Sequence, residues 1–273
     1  MKISAALHAV LCLGLAGSLI GGCASTPEPE LVAGRVVEKT IETEEPTPSP
    51  SPTPSRPLDG ITVSIDPGHN GGNFQAPAEI AVQVPNGRGG TKECDTTGTS
   101  TNDGYRESTF NLDVAFRLRS LLEAEGATVV MTRETDDGVG PCVDERGAFP
   151  ALHDADLAIS IHANGTTDPN VRGFFVLLAD PPVAGEEIAN GSRRLADAII
   201  TEMQAAGFPV SPNGAITPRS DIAGLNLNEV PAVLVELGEM RNPEEAAFMK
   251  TEDGRQQYAD ALAKSVLRWN GDE

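Results

Sequence analysis

The sequence is poor in positive charge. It carries 20 Lys and Arg residues against 40 Asp and Glu residues, which gives a formal net charge of -20 at pH 7. Because no basic patch is present that could release counterions from a phosphate backbone, nucleic acid is excluded as an expected partner. The acidic surface also argues against binding to anionic polymers by charge attraction. Any association with a wall or a membrane therefore needs another cause.

Long apolar runs are also missing, with one exception at the N-terminus. Residues 3–20 are apolar and small, follow Lys2 and lead into Cys23. This pattern predicts a secretory signal over residues 1–22, and a transmembrane helix is disfavoured because no stop-transfer pattern follows. The ending IGGC at residues 20–23 resembles the bacterial lipobox, which would make Cys23 the lipidated first residue of the mature chain. An ordinary signal peptide followed by an incidental cysteine is the alternative.

Residues 23–57 lack the pattern of a hydrophobic core. The tract from Glu42 to Pro57 reads ETEEPTPSPSPTPSRP, a composition typical of an extended, disordered tether. Such a tether would hold the folded part of the chain away from a lipid anchor. The folded domain is predicted to begin near Leu58 and to span residues 58–273. The 39% hydrophobic content of the chain favours one sizeable domain over two.

Cysteine is scarce, with four residues in the chain. Cys12 lies inside the predicted signal and Cys23 at its end, which leaves Cys94 and Cys142. Both lie in loops rich in Gly, Thr and Asp, and an exported chain is free to oxidise them, so the sequence predicts one disulfide between them. Zinc ligation by this pair is disfavoured, because neither cysteine belongs to a C-x-x-C motif.

Strand and helix patterns alternate along the predicted domain. Short apolar, β-branched runs closed by Pro or Gly predict buried strands at 61–66, 128–132, 157–162, 173–178 and 231–237. Apolar residues at helical spacing predict a helix with Ser108 as its N-cap that ends before Gly126, and further helices over 143–153, 186–206, 255–269 and from Pro243. The alternation predicts an α/β fold, a single domain whose mostly parallel twisted sheet is flanked by helices on both faces. The long loop at 70–104 is expected to form an ordered rim.

Three predicted strands carry a histidine or a glutamate at or just past their carboxyl ends. These residues are His69, His162 and Glu236. Ligands of open α/β sheets bind at the carboxyl ends of strands, so the sequence predicts one convergent site. Of the other two histidines, His8 lies in the predicted signal, and His153 lies on a polar helix end.

Two histidines at neighbouring strand ends suggest a zinc site, which in enzymes uses three protein ligands and leaves one position open. The third ligand would be a carboxylate, and position alone leaves Asp66, Glu107 and Asp156 as candidates. Glu107 could equally be a carboxylate that the dipole of the following helix favours. A hydrogen-bonded structural role for each histidine is the alternative to metal binding.

Glu236 lies inside the apolar run 232–238. A carboxylate in such surroundings is costly unless it is paired, hydrogen-bonded or used in chemistry. Desolvation would raise its pKa, as a general base that works near neutral pH requires. A satisfied structural carboxylate is the alternative. Arg133 and Arg146 are interpreted as structural partners for the surplus acidic residues.

A series of motifs runs along the predicted domain. In chain order they are Ile65–His69, Glu107 before Phe110-Asn111, Thr132-Arg133, Ile159–Asn164, and Val233–Gly238 with Asn242-Pro243. Together they resemble the motifs of the zinc-dependent N-acetylmuramoyl-L-alanine amidases of the type-3 amidase family. The resemblance covers residues 60–269. Within the family, the chain resembles the actinobacterial forms. Two features carry this resemblance, the sequence GHNGGN after the first strand and the two loop cysteines.

The resemblance implies one Zn²⁺ held by His69, Glu107 and His162, with Glu236 as the catalytic glutamate. It implies hydrolysis of the amide between the lactyl group of N-acetylmuramic acid and L-alanine of the stem peptide, in cell-wall remodelling or recycling. Peptidoglycan or muropeptides are the expected partners. The chain is expected to be exported, lipid-anchored through Cys23 on the outer face of the cytoplasmic membrane, and monomeric.

Two other functions stay open on the sequence. A zinc peptidase that cuts within the stem peptide would use the same site chemistry, and a non-catalytic wall-binding lipoprotein would keep only the fold. The presence of all four site residues argues against the second. The segment 239–241, Glu-Met-Arg, departs from the common family pattern, so substrate contacts are expected to differ there. No inserted helix that would plug the site is apparent, although the 70–104 loop could act as a lid.

Overall fold

The computed structural model describes residues 55–271. The predicted signal peptide, the lipid attachment at Cys23 and nearly all of the tether lie outside these residues. The strands are β1 (Thr62–Pro67), β2 (Gln83–Pro85), β3 (Thr91–Glu93), β4 (Thr128–Met131), β5 (Leu157–Asn164), β6 (Phe175–Ala179), β7 (Ile216–Arg219) and β8 (Ala232–Glu239). The helices are α1 (Pro77–Ile80), α2 (Glu107–Ala124), α3 (Val143–Leu152), α4 (Glu186–Ala205), α5 (Ala223–Asn226), α6 (Pro243–Met249) and α7 (Glu252–Gly271).

Six strands form the main sheet, in the order β4-β1-β5-β8-β6-β7. The first four are parallel, β6 runs antiparallel to β8, and β7 runs parallel to β6. The prediction of a single α/β domain with a mostly parallel sheet is therefore confirmed. None of the helices described in residues 55–271 combines the length and the hydrophobicity needed to cross a bilayer.

The central strands bury both of their faces. On one face, Ile65, Ile161 and Val235 pack in a core shared with α2, α4 and α7. On the other face, Leu234 packs with Leu225 of α5, beside α3. Because side chains alternate along a strand, every second residue of β1, β5 and β8 falls on this second face. The helices thus lie on both sides of the sheet, as the sequence predicts.

Two parts of the fold differ from the prediction. The 70–104 loop contains the antiparallel hairpin of β2 and β3. The Pro-rich segment before β8 contains β7, one of the two edge strands of the main sheet, where Pro218 is tolerated because one side of an edge strand needs no ladder hydrogen bond.

The start of α2 was wrongly predicted, while the disulfide prediction is confirmed. The helix begins at Glu107, preceded by Arg106, and not after an N-cap at Ser108. The hydroxyl of Ser108 donates to Asp136 instead of capping the helix. Cys94 and Cys142 form a disulfide, which joins the loop after the hairpin to the start of α3.

Candidate active site

The carboxyl ends of β1, β5 and β8 lie side by side at one edge of the sheet. His69 lies two residues after the end of β1, in the left-handed region at φ 60°, and the amide of the intervening Gly68 donates to the Ile161 carbonyl of β5. His162 of β5 pairs in register with Glu236 of β8. The two-residue period places both of these side chains on the second face of the sheet, so they point into the same space.

Glu107 reaches this edge from the first turn of α2. Its Oε1 lies 3.3 Å from Nε2 of His69 and 3.0 Å from Nδ1 of His162. One ligand atom from each of the three residues lies within 4.8 Å of the others. Two histidines and one carboxylate are a donor set that zinc uses in catalytic sites. These residues therefore fit a zinc ion by chemistry and by proximity.

The other two carboxylates that the sequence left open as ligands are engaged elsewhere. Asp66 accepts hydrogen bonds from Thr132 and Ser160 and pairs with Arg146. Asp156 accepts from the backbone amide at the opposite end of β1. Neither joins the cluster of two histidines and Glu107.

Backbone groups and two glycines hold the cluster in place. The Glu107 carboxylate accepts from the amide of Thr99 at 2.8 Å and from the amide of Ala163 at 3.2 Å. A Cβ atom at Gly98, where φ is +69°, would lie 2.7 Å from the ring of His69 and 2.8 Å from Glu107. A Cβ at Gly68 would lie 2.2 Å from the ring of His162. Only glycine fits at these two positions, because any side chain would displace a member of the cluster.

The charged groups of the cluster shift one another's pKa values. Burial alone would raise the pKa of Glu107, but His69 and His162 hold that pKa well below its usual range. Burial would lower the pKa of His69, but the carboxylates of Glu107 and Asp95 raise it to about 10. Without metal, the cluster therefore holds a proton at neutral pH. Because a metal ion binds the deprotonated ring, metal binding has to displace that proton.

Glu236 lies beside this cluster without belonging to it. Its Oε2 is buried and has no hydrogen-bond partner among the described residues. Burial, together with repulsion from the Glu107 carboxylate, raises the pKa of Glu236 well above its usual range. A buried carboxyl oxygen without a partner is expected to have a role in chemistry, since leaving it unpaired is costly. The alternative considered from the sequence was a structural carboxylate whose oxygens all have hydrogen-bond partners, and this oxygen does not fit it.

A buried network of charges lies under the cluster. Arg146 pairs with Asp66 at 2.6 Å and with Asp95 at 3.1 Å. Arg133 pairs with Asp136. It also donates to four backbone carbonyls, those of Pro67, Gly68, Ser108 and Thr135. The interpretation of both arginines as structural partners of acidic residues is confirmed. Sequence reasoning missed Asp95, whose place directly after the predicted disulfide cysteine was the available signal.

Removing the cation from this network is expected to destabilise the fold. In Arg146→Met, the carboxylates of Asp66 and Asp95 would stay buried without their guanidinium, and breaking a buried ion pair in this way costs about 3–5 kcal/mol. Urea unfolding of the metal-free chain at neutral pH measures the loss.

This loss is expected to depend on pH. Burial alone would raise the pKa of Asp66, but Arg146 and the hydroxyls of Ser160 and Thr132 hold it well below the ordinary value of 3.8. A lowered pKa in the folded state stabilises the fold above the unfolded-state value, and this contribution is lost as the pH falls. The difference between wild type and Arg146→Met should therefore shrink at about pH 3. An equal difference at both pH values would contradict this account of the network.

A cleft of about 580 Å³ opens from the cluster along the second face of the sheet. His69, His162 and Glu236 lie in its wall, and Leu177 and Leu234 are among its apolar lining residues. The polar lining also includes Gln83, Lys92, Glu93 and Arg219. The size suits a drug-sized or short peptide ligand, and the mixed lining suits a substrate with both apolar and charged groups.

An α/β sheet whose carboxyl edge holds two histidines and a carboxylate, beside a half-buried glutamate and an open cleft, is an arrangement typical of metal-dependent hydrolases. Residues 63–268 match the family model of the N-acetylmuramoyl-L-alanine amidases. The chain therefore belongs to the N-acetylmuramoyl-L-alanine amidase family, as its motifs predict.

Individual relatives agree with this membership. The chain is 44% identical over 211 residues to the N-acetylmuramoyl-L-alanine amidase Rv3717 of Mycobacterium tuberculosis, which covers 76% of this chain and 85% of that protein. The crystal structure of the amidase Ami1 from Mycobacterium smegmatis matches with a TM-score of 0.75 and 43% identity, over 79% of this chain and 99% of that one. Ami1 from Mycobacterium abscessus matches with a TM-score of 0.72 and 39% identity, over 78% and 99%. The resemblance to actinobacterial amidases is confirmed.

Proposed function

We propose that the chain is a zinc-dependent amidase that hydrolyses the bond between the lactyl group of N-acetylmuramic acid and L-alanine of the stem peptide. The observation that carries the proposal is the convergence of His69, Glu107 and His162 beside Glu236, whose buried oxygen has no hydrogen-bond partner among the described residues. Family membership supplies the substrate class. The reaction would serve cell-wall remodelling or the recycling of muropeptides.

His69, Glu107 and His162 would hold one zinc ion. When bound, zinc acts as a Lewis acid that polarises a carbonyl and makes water more acidic. The protein contributes a fixed set of donors, since Glu107 is anchored by the amides of Thr99 and Ala163. A preformed set of this kind limits the reorganisation needed when substrate arrives.

Glu236 would act as general base and then as general acid. Its carboxylate would accept the proton of the attacking water, and the same proton would pass to the departing amine of L-alanine. Because the pKa of Glu236 is raised toward neutral pH, its carboxyl group can both take up and return a proton there. Burial of its Oε2 limits the access of bulk water to that proton.

The cleft along the second face would hold the substrate next to these groups. Lys92 and Arg219 supply positive charge in its lining, and Leu177 and Leu234 supply an apolar wall. A stem peptide carries both carboxylates and methyl groups, so this lining complements it. Peptidoglycan or muropeptides are therefore the proposed partners, and the proposed unit is a monomer.

The proposed location follows from the substrate. We place the mature chain outside the cytoplasmic membrane, exported by residues 1–22 and attached by lipid at Cys23. Residues 23–57 would act as a tether between that anchor and the catalytic domain, 58–273. These assignments rest on the N-terminal sequence pattern and on the wall substrate.

Product analysis tests the proposal. The full-length chain is incubated with a purified muropeptide, and zinc content and product masses are measured on the same sample. One equivalent of zinc and release of an intact stem peptide with a free L-alanine amine are expected. Fragments cut within the stem, with the lactyl amide still closed, would contradict the proposed bond and indicate a stem peptidase. Absence of both zinc and cleavage would contradict the enzyme itself.

A further inference from the structure

The ring of His69 is oriented by acceptors on the side away from Glu107. Its Nδ1 lies 3.2 Å from the carbonyl oxygen of Thr96 and 3.3 Å from Oδ1 of Asp95. An imidazole that donates Nδ1–H keeps its lone pair on Nε2. Nε2 is the atom that faces Glu107. The acceptors at Nδ1 therefore select the tautomer in which Nε2 is free to bind a metal.

Asp95 is itself fixed from two sides. It is buried, and its Oδ1 also accepts from the amide of Thr96 at 2.7 Å. Its Oδ2 accepts from Nη2 of Arg146 at 3.1 Å, and the same Nη2 donates to the carbonyl of His69 at 3.0 Å. One guanidinium thus fixes both the carboxylate and the backbone of the histidine that it orients.

The disulfide joins the two segments that carry this arrangement. Cys94 directly precedes Asp95, and Cys142 directly precedes α3, which carries Arg146 in its first turn. The amide of Val143 donates to the carbonyl of Cys94 at 2.7 Å. A closed ring results, in which one covalent link and one ion pair hold the carboxylate against His69.

We propose that Asp95 is a positioning residue for the metal site, and that the Cys94–Cys142 disulfide holds it in place, so that reducing the disulfide weakens metal binding. The proposal rests on the proposed function, because it takes His69 as a metal ligand. Asp95 acts through His69 by fixing the tautomer and the direction of the ring. Partners of this kind typically change metal affinity by about 10- to 100-fold when they are removed.

Zinc affinity of the full-length chain, without substrate, tests the role of Asp95. Competition with a chromophoric chelator is expected to show a loss of about 10- to 100-fold in Asp95→Ala. Asp95→Asn should lose less, because the amide oxygen can still accept from Nδ1–H. With Co²⁺ in place of zinc, the visible absorption bands should change in Asp95→Ala, since a reoriented ring alters the ligand field.

A matched control separates positioning from a general loss of structure. Glu245 is also a shielded carboxylate, and it accepts hydrogen bonds from the amides of Gly173 and Glu239. It contacts none of the proposed metal ligands. Glu245→Gln should therefore keep both the zinc affinity and the Co²⁺ spectrum of the wild type, whatever its effect on unfolding. Unchanged affinity and an unchanged spectrum in Asp95→Ala would overturn the positioning role.

The disulfide is tested in the same assay. Reduction of the wild type by a phosphine, or the double variant Cys94→Ser with Cys142→Ser, should weaken zinc binding in the direction of Asp95→Ala. Reduction should add little in Asp95→Ala itself, because coupled groups are not additive. Circular dichroism is used to check that the reduced chain is still folded. Equal affinity of folded oxidised and reduced wild type would overturn the role of the disulfide. Failure of the oxidised wild type to bind zinc would instead contradict the proposed function.

Discussion

Replacing Glu236 by glutamine is expected to lower turnover by about 10²- to 10⁴-fold, the usual contribution of general acid–base catalysis. The amide has nearly the shape of the carboxyl group but cannot take up or return a proton. Glu236 is not among the residues whose ligand atoms converge, so one equivalent of metal should stay bound. Release of the L-alanine amine and metal content, measured on the same sample, check both halves of this prediction. Glu236→Ala should behave in the same way.

The same strand offers a control for this substitution. Glu239 also lies on β8 and is buried, but its carboxylate accepts from Asn164 and from the amide of Thr166. Its role is to hold the loop after β5, so Glu239→Gln should keep most of the turnover. Near-complete activity of Glu236→Gln would refute its assignment as the catalytic base.

Replacing His162 by alanine is expected to remove the metal and, with it, about 10³-fold or more of the rate, because a Lewis acid contributes several kcal/mol of transition-state stabilisation. His69→Ala should give the same result. Each variant would keep two protein donors, whereas catalytic zinc sites use three. Metal per chain after dialysis and rate of muropeptide cleavage are the measurements.

His153 is the matched control for these histidine variants. It lies exposed after α3, stacked on Phe149 with ring centroids 3.9 Å apart, and its Nδ1 contacts the carbonyl of the same residue. His153→Ala should keep its metal and its activity. Stoichiometric zinc in both His69→Ala and His162→Ala would rule out the proposed ligand set.

Much of the candidate site was predictable because its chemistry lies at the ends of strands with strong patterns. The runs before His69 and His162 and the run around Glu236 are apolar and β-branched, and such runs predict buried strands without reference to the rest of the fold. Parallel neighbours then bring their carboxyl ends together. Spacing could not assign Glu107, because a carboxylate at a helix start has a local explanation in the helix dipole. Only the family motifs singled it out.

The parts that escaped prediction depend on contacts between distant segments. The hairpin of β2 and β3 lies in a Gly-rich stretch with no alternating pattern, and it is held by bonds such as that from the Cys94 amide to the Val82 carbonyl. The edge strand β7 contains Pro218, which argues against a strand when only local sequence is considered. Asp95 was missed because its importance depends on Arg146, 51 residues later in the chain. The predicted disulfide brings the two segments together, but it does not indicate which side chains pair.

The order of strands in the sheet has a consequence for how the protein matures. The three proposed ligands come from the end of β1, from β5 and from α2. Glu236 comes from β8, which pairs with β5 on the side opposite to β1. Metal uptake during refolding would therefore report the docking of β1, β5 and α2, while the onset of turnover would also require β8 to be in place. An interval between metal uptake and the onset of turnover would measure the lifetime of a chain that binds metal but does not yet cleave substrate.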